Sequence, residues 1–138
     1  MTTERRGYTE TLRALDGDCD FCRLLKPSAM MRYVEQVSTD HARAHNMDYQ
    51  FFQDHHSAFL VAKQAVKITR MPRRAEPLTL HTACEAFKKG SMKRITTVCD
   101  AEDKELALVD CRWMLVDTER GRILRAPEWS APGFQNEE

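Results

Sequence analysis

Apolar positions along this chain change their spacing several times, and each change marks a predicted element. Residues 8–15 are rich in strand formers and stop at Asp16-Gly17-Asp18, which predicts a first strand closed by a turn. After a loop over residues 19–26, Pro27-Ser28 opens a segment where Met30, Tyr33, Val34, Val37, His41 and Ala44 recur at helical spacing, with Asn46 closing it. A helix of about 17 residues is about 25 Å long, enough to cross a sheet. A short turn of helix is expected at residues 49–54.

The periodicity then becomes two. Leu60, Ala62, Val66 and Ile68 fall on one face, and Lys63, Lys67 and Thr69 on the other, as in a half-buried antiparallel strand. Residues 70–77 break the pattern, because Pro72 and Pro77 cannot donate to a ladder. Strands follow at 78–87, 92–100 and 105–117, the last with Ala107, Val109, Cys111, Trp113 and Leu115 on one face. The turns between them fall at 88–91 and 101–104. Residues 118–121 lead into a short sixth strand around 123–125. A strand, a long helix and a meander with short connections predict an α+β domain, its long central helix packed on an antiparallel sheet. One helix cannot cover both faces of such a sheet, and its edges need pairing, so a homodimer or a dimer of dimers is expected.

Composition narrows the choices. The 138 residues suit one domain, and 21 Lys and Arg balance 21 Asp and Glu, which leaves no field for nucleic acid or an anionic membrane surface. No apolar run approaches a membrane span, and residues 1–8 do not lead into a signal-peptide core, so a cytoplasmic location is expected. Five cysteines suit a reducing compartment, with Cys84, Cys99 and Cys111 as small core residues. Cys19 and Cys22 have the spacing of half a zinc site or of a redox pair. No second pair completes a zinc site, and the context is wrong for a dithiol, so neither a metal nor a redox cofactor is expected.

Particular residues carry a family resemblance. Gly17-Asp18-Cys19-Asp20 before the helix resembles the acidic loop of 4-hydroxybenzoyl-CoA thioesterase-like proteins. The helix segment Tyr33-Val34-Glu35-Gln36-Val37-Ser38-Thr39-Asp40-His41-Ala42 resembles the first unit of acyl-ACP thioesterases. So do Trp113-Met114-Leu115-Val116-Asp117, Gly121-Arg122 and Arg125-Ala126-Pro127. Both groups have the hot-dog fold. The resemblance implies one hot-dog domain over residues 1–127, a polar tail at 128–138, and hydrolysis of acyl-CoA or acyl-ACP thioesters without cofactor, in sites at subunit interfaces. A non-catalytic hot-dog module that binds acyl thioesters or scaffolds a biosynthetic complex is the alternative.

Thioester hydrolysis needs a carboxylate or water nucleophile, a polarised carbonyl and a dry slot. Asp20 is the first candidate for nucleophile or base, with the Ser28 and Ala29 amides at the helix start facing the oxyanion. Glu35 is the second, because another hot-dog branch uses a helix carboxylate. His56 is placed to move protons near neutral pH, and Gln64 is a polar residue on an apolar face that must find a partner. Two basic clusters, Arg70, Arg73 and Arg74 before the third strand and Lys88, Lys89, Lys93 and Arg94 around a hairpin, are candidates for a carrier's phosphate. Met30, Met31 and Met47, with Tyr49, Phe51 and Phe52, are suited to line an acyl slot. Each has a plainer reading as turn acid, solvated strand end or core.

Overall fold

The computed structural model describes residues 6–85, 87–88 and 90–124. β1 spans Tyr8–Arg13, α1 Pro27–Ala44, α2 Tyr49–Asp54, β2 Ser57–Ile68, β3 Pro77–Cys84, β4 Ser91–Cys99, β5 Glu105–Asp117 and β6 Arg122–Ile123. All strand pairs are antiparallel, in the order β1-β3-β4-β5-β2, with β6 beside the end of β5. Arg125 and the tail at 128–138 lie outside the described residues.

α1 forms where the periodicity places it, and its ends explain its length. Pro27 occupies the first turn, where a missing N–H costs nothing. At the other end Asn46 takes a left-handed φ of 62°. The Asn46 amide bonds the Arg43 carbonyl at 3.0 Å and the Met47 amide that of Ala42 at 2.9 Å, a Schellman closure. Ala29, Met30, Val34, Val37, Ser38 and His41 are buried beneath the helix. Ala29, Met30, Val34 and Val37 meet Leu78 and Leu80 of β3, Val98 of β4, and Leu106, Ala107 and Val109 of β5 in the main core. A smaller cluster of Met47, Cys84 and Met92 gathers Phe51, Phe52, Phe59 and Phe87 where α2 folds over the sheet end. Asp48 caps α2 by accepting from the Phe51 amide at 2.9 Å. The expected core role of Cys84, Cys99 and Cys111 holds, since all three are buried.

Two expectations about β2 are corrected. The meander holds only for β3, β4 and β5. β2 pairs with β5 at one edge of the sheet, so the 69–76 loop crosses the sheet end and is not a hairpin. The loop is pinned by an Arg70–Glu76 ion pair at 2.7 Å and by the Leu25 amide on the Pro72 carbonyl at 2.8 Å. The pairing of β2 with β5 skips between Val61 and Lys63, leaving Ala62 as a bulge. An extra residue reverses the alternation. Leu60 therefore faces opposite to Gln64, Val66 and Ile68, whose partners Cys111, Val109 and Ala107 point inward. Nor is β2 half-buried, since Leu60, Val61, Val66 and Ile68 are 55, 49, 42 and 44 % exposed.

Candidate active site

α1 packs on β1 and β3 and, in the core, on Ala107 and Val109 of β5, but leaves the inner face of β2 open, so a groove runs between helix and sheet. Its first half, about 330 Å³, is bounded by Ser28, Met31 and Arg32 of α1 and by Gln64 and Cys111 of the sheet. The second half, about 380 Å³, is walled mainly by Ala42, Met47, Phe52 and Met92. Glu35, Ser38, Phe59, Arg94 and Trp113 line both halves and form the waist. From Ser28 to Ala42 the groove follows about 20 Å of helix.

The floor at the waist is polar where a core would be apolar. Arg94 is 3 % exposed, and its Nη1 donates to His41 Nδ1 at 3.0 Å and Thr82 Oγ1 at 2.8 Å. Arginine only donates, so His41 Nδ1 accepts and the neutral ring carries its proton on Nε2. Burial first, and then the charge of Arg94, push His41 down to about 3. Trp113 Nε1, also on the floor, is shut from solvent and has no acceptor among the described residues. Arg94 was expected to serve the basic hairpin. It instead occupies an inward position of β4, between Met92 and Thr96, and cannot reach a phosphate there. A charged residue in that inward series was the signal to follow.

Glu35, Ser28 and Gln64 come together along this groove, and Gln64 faces inward only because of the bulge. Ala29 is 0 % exposed beneath the helix, backbone included, and lies in the core rather than on the groove walls. Asp20 lies outside the groove walls. Its Oδ1 accepts from the Cys22 amide at 2.8 Å and the Leu24 amide at 3.1 Å, closing its own loop. Asp18 is engaged by the Tyr33 hydroxyl at 2.6 Å and Arg32 at 3.0 Å, which hold its carboxyl below the usual range. His56 sits on the α2–β2 turn with φ 48° and meets Glu119 at 3.3 Å, apart from the groove. Met31, Met47, Tyr49 and Phe52 line the groove as an acyl slot would require, whereas Met30 belongs to the core.

The basic clusters lie at opposite ends of β3. At one end Lys88 is exposed, Lys93 pairs with Glu85 at 3.3 Å, and Lys89 lies outside the described residues. At the other, Arg70 is held by Glu76, while Arg73 and Arg74 join Arg23 around an open cleft. Sequence reasoning missed Arg23. The Cys19 and Cys22 thiols are free, and burial pushes the Cys19 thiol up, away from a reactive thiolate. Among the described residues no group of three His, Cys, Asp or Glu side chains is placed to hold a metal, and no helix is long and apolar enough to cross a membrane.

The model of the acyl-ACP thioesterase N-terminal domain matches residues 6–130. The chain belongs to this family. Among solved structures, this member of the acyl-ACP thioesterase family superposes on an oleoyl thioesterase, so assigned, from Lactobacillus plantarum with a TM-score of 0.89 and 25 % identity. That alignment covers 96 % of this chain and 52 % of the other. An acyl-ACP thioesterase from Bacteroides thetaiotaomicron aligns at TM-score 0.85 and 16 % identity, over 97 % and 55 % of the two chains. A 1,4-dihydroxy-2-naphthoyl-CoA thioesterase from Synechocystis aligns at 0.79 and 9 %, over 88 % and 90 %. The fold is therefore the hot-dog fold expected from the motifs. The chain spans about half the length of the first two proteins. Among curated proteins, none matches the sequence.

Proposed function

We propose that this family member hydrolyses acyl-ACP or acyl-CoA thioesters in the groove between α1 and the β2–β5 face, in the cytoplasm and without a cofactor. The observation that carries the reading is Glu35 at the waist, between a half that holds Ser28, Arg32 and Gln64 and a half walled by Met47, Phe52, Phe59 and Met92. An acyl chain fits the apolar half. Glu35 takes a proton from a water, whose oxygen adds to the thioester carbonyl. Collapse of the tetrahedral adduct expels the thiolate, which recovers that proton. The donors nearest this chemistry are the Arg94 guanidinium and the Trp113 N–H on the floor. Ser28 lies about 10 Å up the helix axis from Glu35, so its amide serves the carrier side of the substrate, whereas Ala29 is sealed in the core. Gln64 lines the same half.

Asp20 and His56, outside the groove walls, are proposed as residues that support the site without attacking the carbonyl. Carrier phosphate is assigned to the Arg73 and Arg74 end, with Lys88 and Lys89 as the matched comparison. A homodimer is proposed through β2, whose long edge and exposed apolar residues would expose a lone subunit to strand pairing.

A panel of acyl-CoA and acyl-ACP substrates assayed for thiol release tests the activity. Glu35→Gln should lower turnover about a hundredfold while acyl binding persists. Full turnover in Glu35→Gln would remove the assignment. One fact favours the second reading, a binding or scaffolding module: Asp20, the acid of the loop before α1, is tied up by its own loop amides and lies outside the groove walls. Tight acyl binding with no thiol released by the parent protein would decide for it.

A further inference from the structure

We propose that Arg23, Arg73 and Arg74 form a binding cleft for the phosphorylated nucleotide of a coenzyme thioester, and that Asp20 positions Arg23 in it. The inference rests on the groove's taking an acyl thioester, and it names the carrier.

Two loops about fifty residues apart in sequence are zipped together. Leu24 bridges to Arg73, the Leu25 amide bonds the Pro72 carbonyl at 2.8 Å, and the Arg74 amide bonds the Arg23 carbonyl at 2.8 Å. Between them opens a cleft of about 600 Å³ lined by Cys22, Arg23, Leu24, Arg73 and Arg74. The Arg74 guanidinium is shared with Asp16 at 3.0 Å. Those of Arg23 and Arg73 donate no hydrogen bond to any described residue, although neighbouring Arg70 is fully engaged by Glu76. Glu76 itself is thus already occupied by Arg70 and by the Arg73 amide. Three planar forks around a concave space suit a phosphate bidentately. The balanced net charge of the chain makes this a local feature.

Concavity selects the occupant. An acidic protein would need a broad basic face, whereas this open cleft gathers only three arginines, beside Leu24, around about 600 Å³. Its position gives the substrate a direction. Leu24 and Leu25 lead directly into α1, so a nucleotide held here sends its thiol arm past Ser28 into the groove, and the acyl chain ends at Phe52 and Met47. The lysine hairpin lies at the other end of β3, about 25 Å away.

Asp20 builds the turn that presents Arg23. Besides its two carboxylate bonds, its amide bonds the Leu24 carbonyl at 2.8 Å and its carbonyl accepts from the Arg23 amide at 3.0 Å. Arg23 is thereby held at φ 64°, a conformation that a non-glycine residue keeps only when its surroundings enforce it.

The test is calorimetric binding of free CoA to the full chain at low salt. Arg23→Ala and Arg73→Ala should each weaken CoA about tenfold, and Lys88→Ala less than twofold. Asp20→Asn should weaken it severalfold, and the Asp20→Asn/Arg23→Ala double variant should be no weaker than Arg23→Ala alone, because both act through one side chain. Pantetheine, which lacks the phosphates, should bind the parent and the arginine variants alike. The proposal is overturned if CoA does not bind, if both arginine variants bind it normally, or if they weaken an acyl carrier protein while leaving CoA unchanged. Additive losses in the double variant would remove the role of Asp20. Arginine-dependent CoA binding without thiol release would uphold the cleft and reject the hydrolase.

Discussion

The two halves of the same sheet have opposite fates. Under α1, the inner residues of β3 and β4 are sealed, with Leu78, Leu80 and Val98 at 2 % exposure or less. Beyond the helix, β2 carries equally apolar residues that stay open to solvent. The hydrophobic effect acts on both in the same way, but an 18-residue helix covers only the half that it crosses. The closed half holds the fold together, and the open half is left for ligand and partner.

The widest expected separation of the halves is by acid. His41, in the closed half, has its proton affinity depressed to about 3 by burial and by Arg94. The unfolded chain therefore binds a proton below about pH 6.5 that the native state refuses, and stability should fall by about 1.4 kcal/mol per pH unit until about pH 3. Asp18 and Glu76, with depressed carboxyls, steepen the end of that fall, because their stabilisation is present above the ordinary carboxylate range and lost as pH drops through it. Urea unfolding at a series of pH values checks this. A flat profile between pH 6 and 4 would mean that water reaches His41.

Truncation sharpens the contrast next. Leu80→Ala should cost about 3 kcal/mol in urea unfolding, because a sealed site leaves a cavity. Val66→Ala on the open half should cost under about 0.5 kcal/mol in a dilute, dissociated sample. A double change, Val66→Asp with Ile68→Asp, should dissociate the proposed dimer in sedimentation while leaving thermal unfolding cooperative. A dimer that survives it would place the interface elsewhere.

The smallest effect lies at the rim of the closed half. Glu10 faces Asp40, and burial, followed by that neighbour, raises its carboxyl. A raised carboxyl destabilises the native state increasingly as pH rises above the unfolded value. Glu10→Gln should therefore stabilise by about 0.5 kcal/mol at pH 7 and leave pH 4 unchanged, as read from the unfolding midpoint.

Much of the fold was legible because it follows from local rules. The 3.6 period, Pro27 and Asn46 specify α1 within its own segment, and the alternation in 105–117 reproduces β5 and its inward face. Glu35 and Gln64 could be picked out, since a polar residue beside an apolar stripe is visible in one dimension. What escaped depended on which segments meet. Alternation marks the apolar residues of β2 but is silent on whether a helix covers them, and a single extra residue at Ala62 reverses their sides. Arg94 reads as one cation among several near a hairpin until β3 and α1 bring Thr82 and His41 to its guanidinium. Asp20 reads as a free carboxylate until the loop folds its own amides onto it. Arg23 and Arg73 have no relation along the chain. Periodicity records each residue's preference for water or core, and short turns record local bonds; the groove and the arginine cleft arise from contacts between distant segments, which only the closed tertiary fold decides.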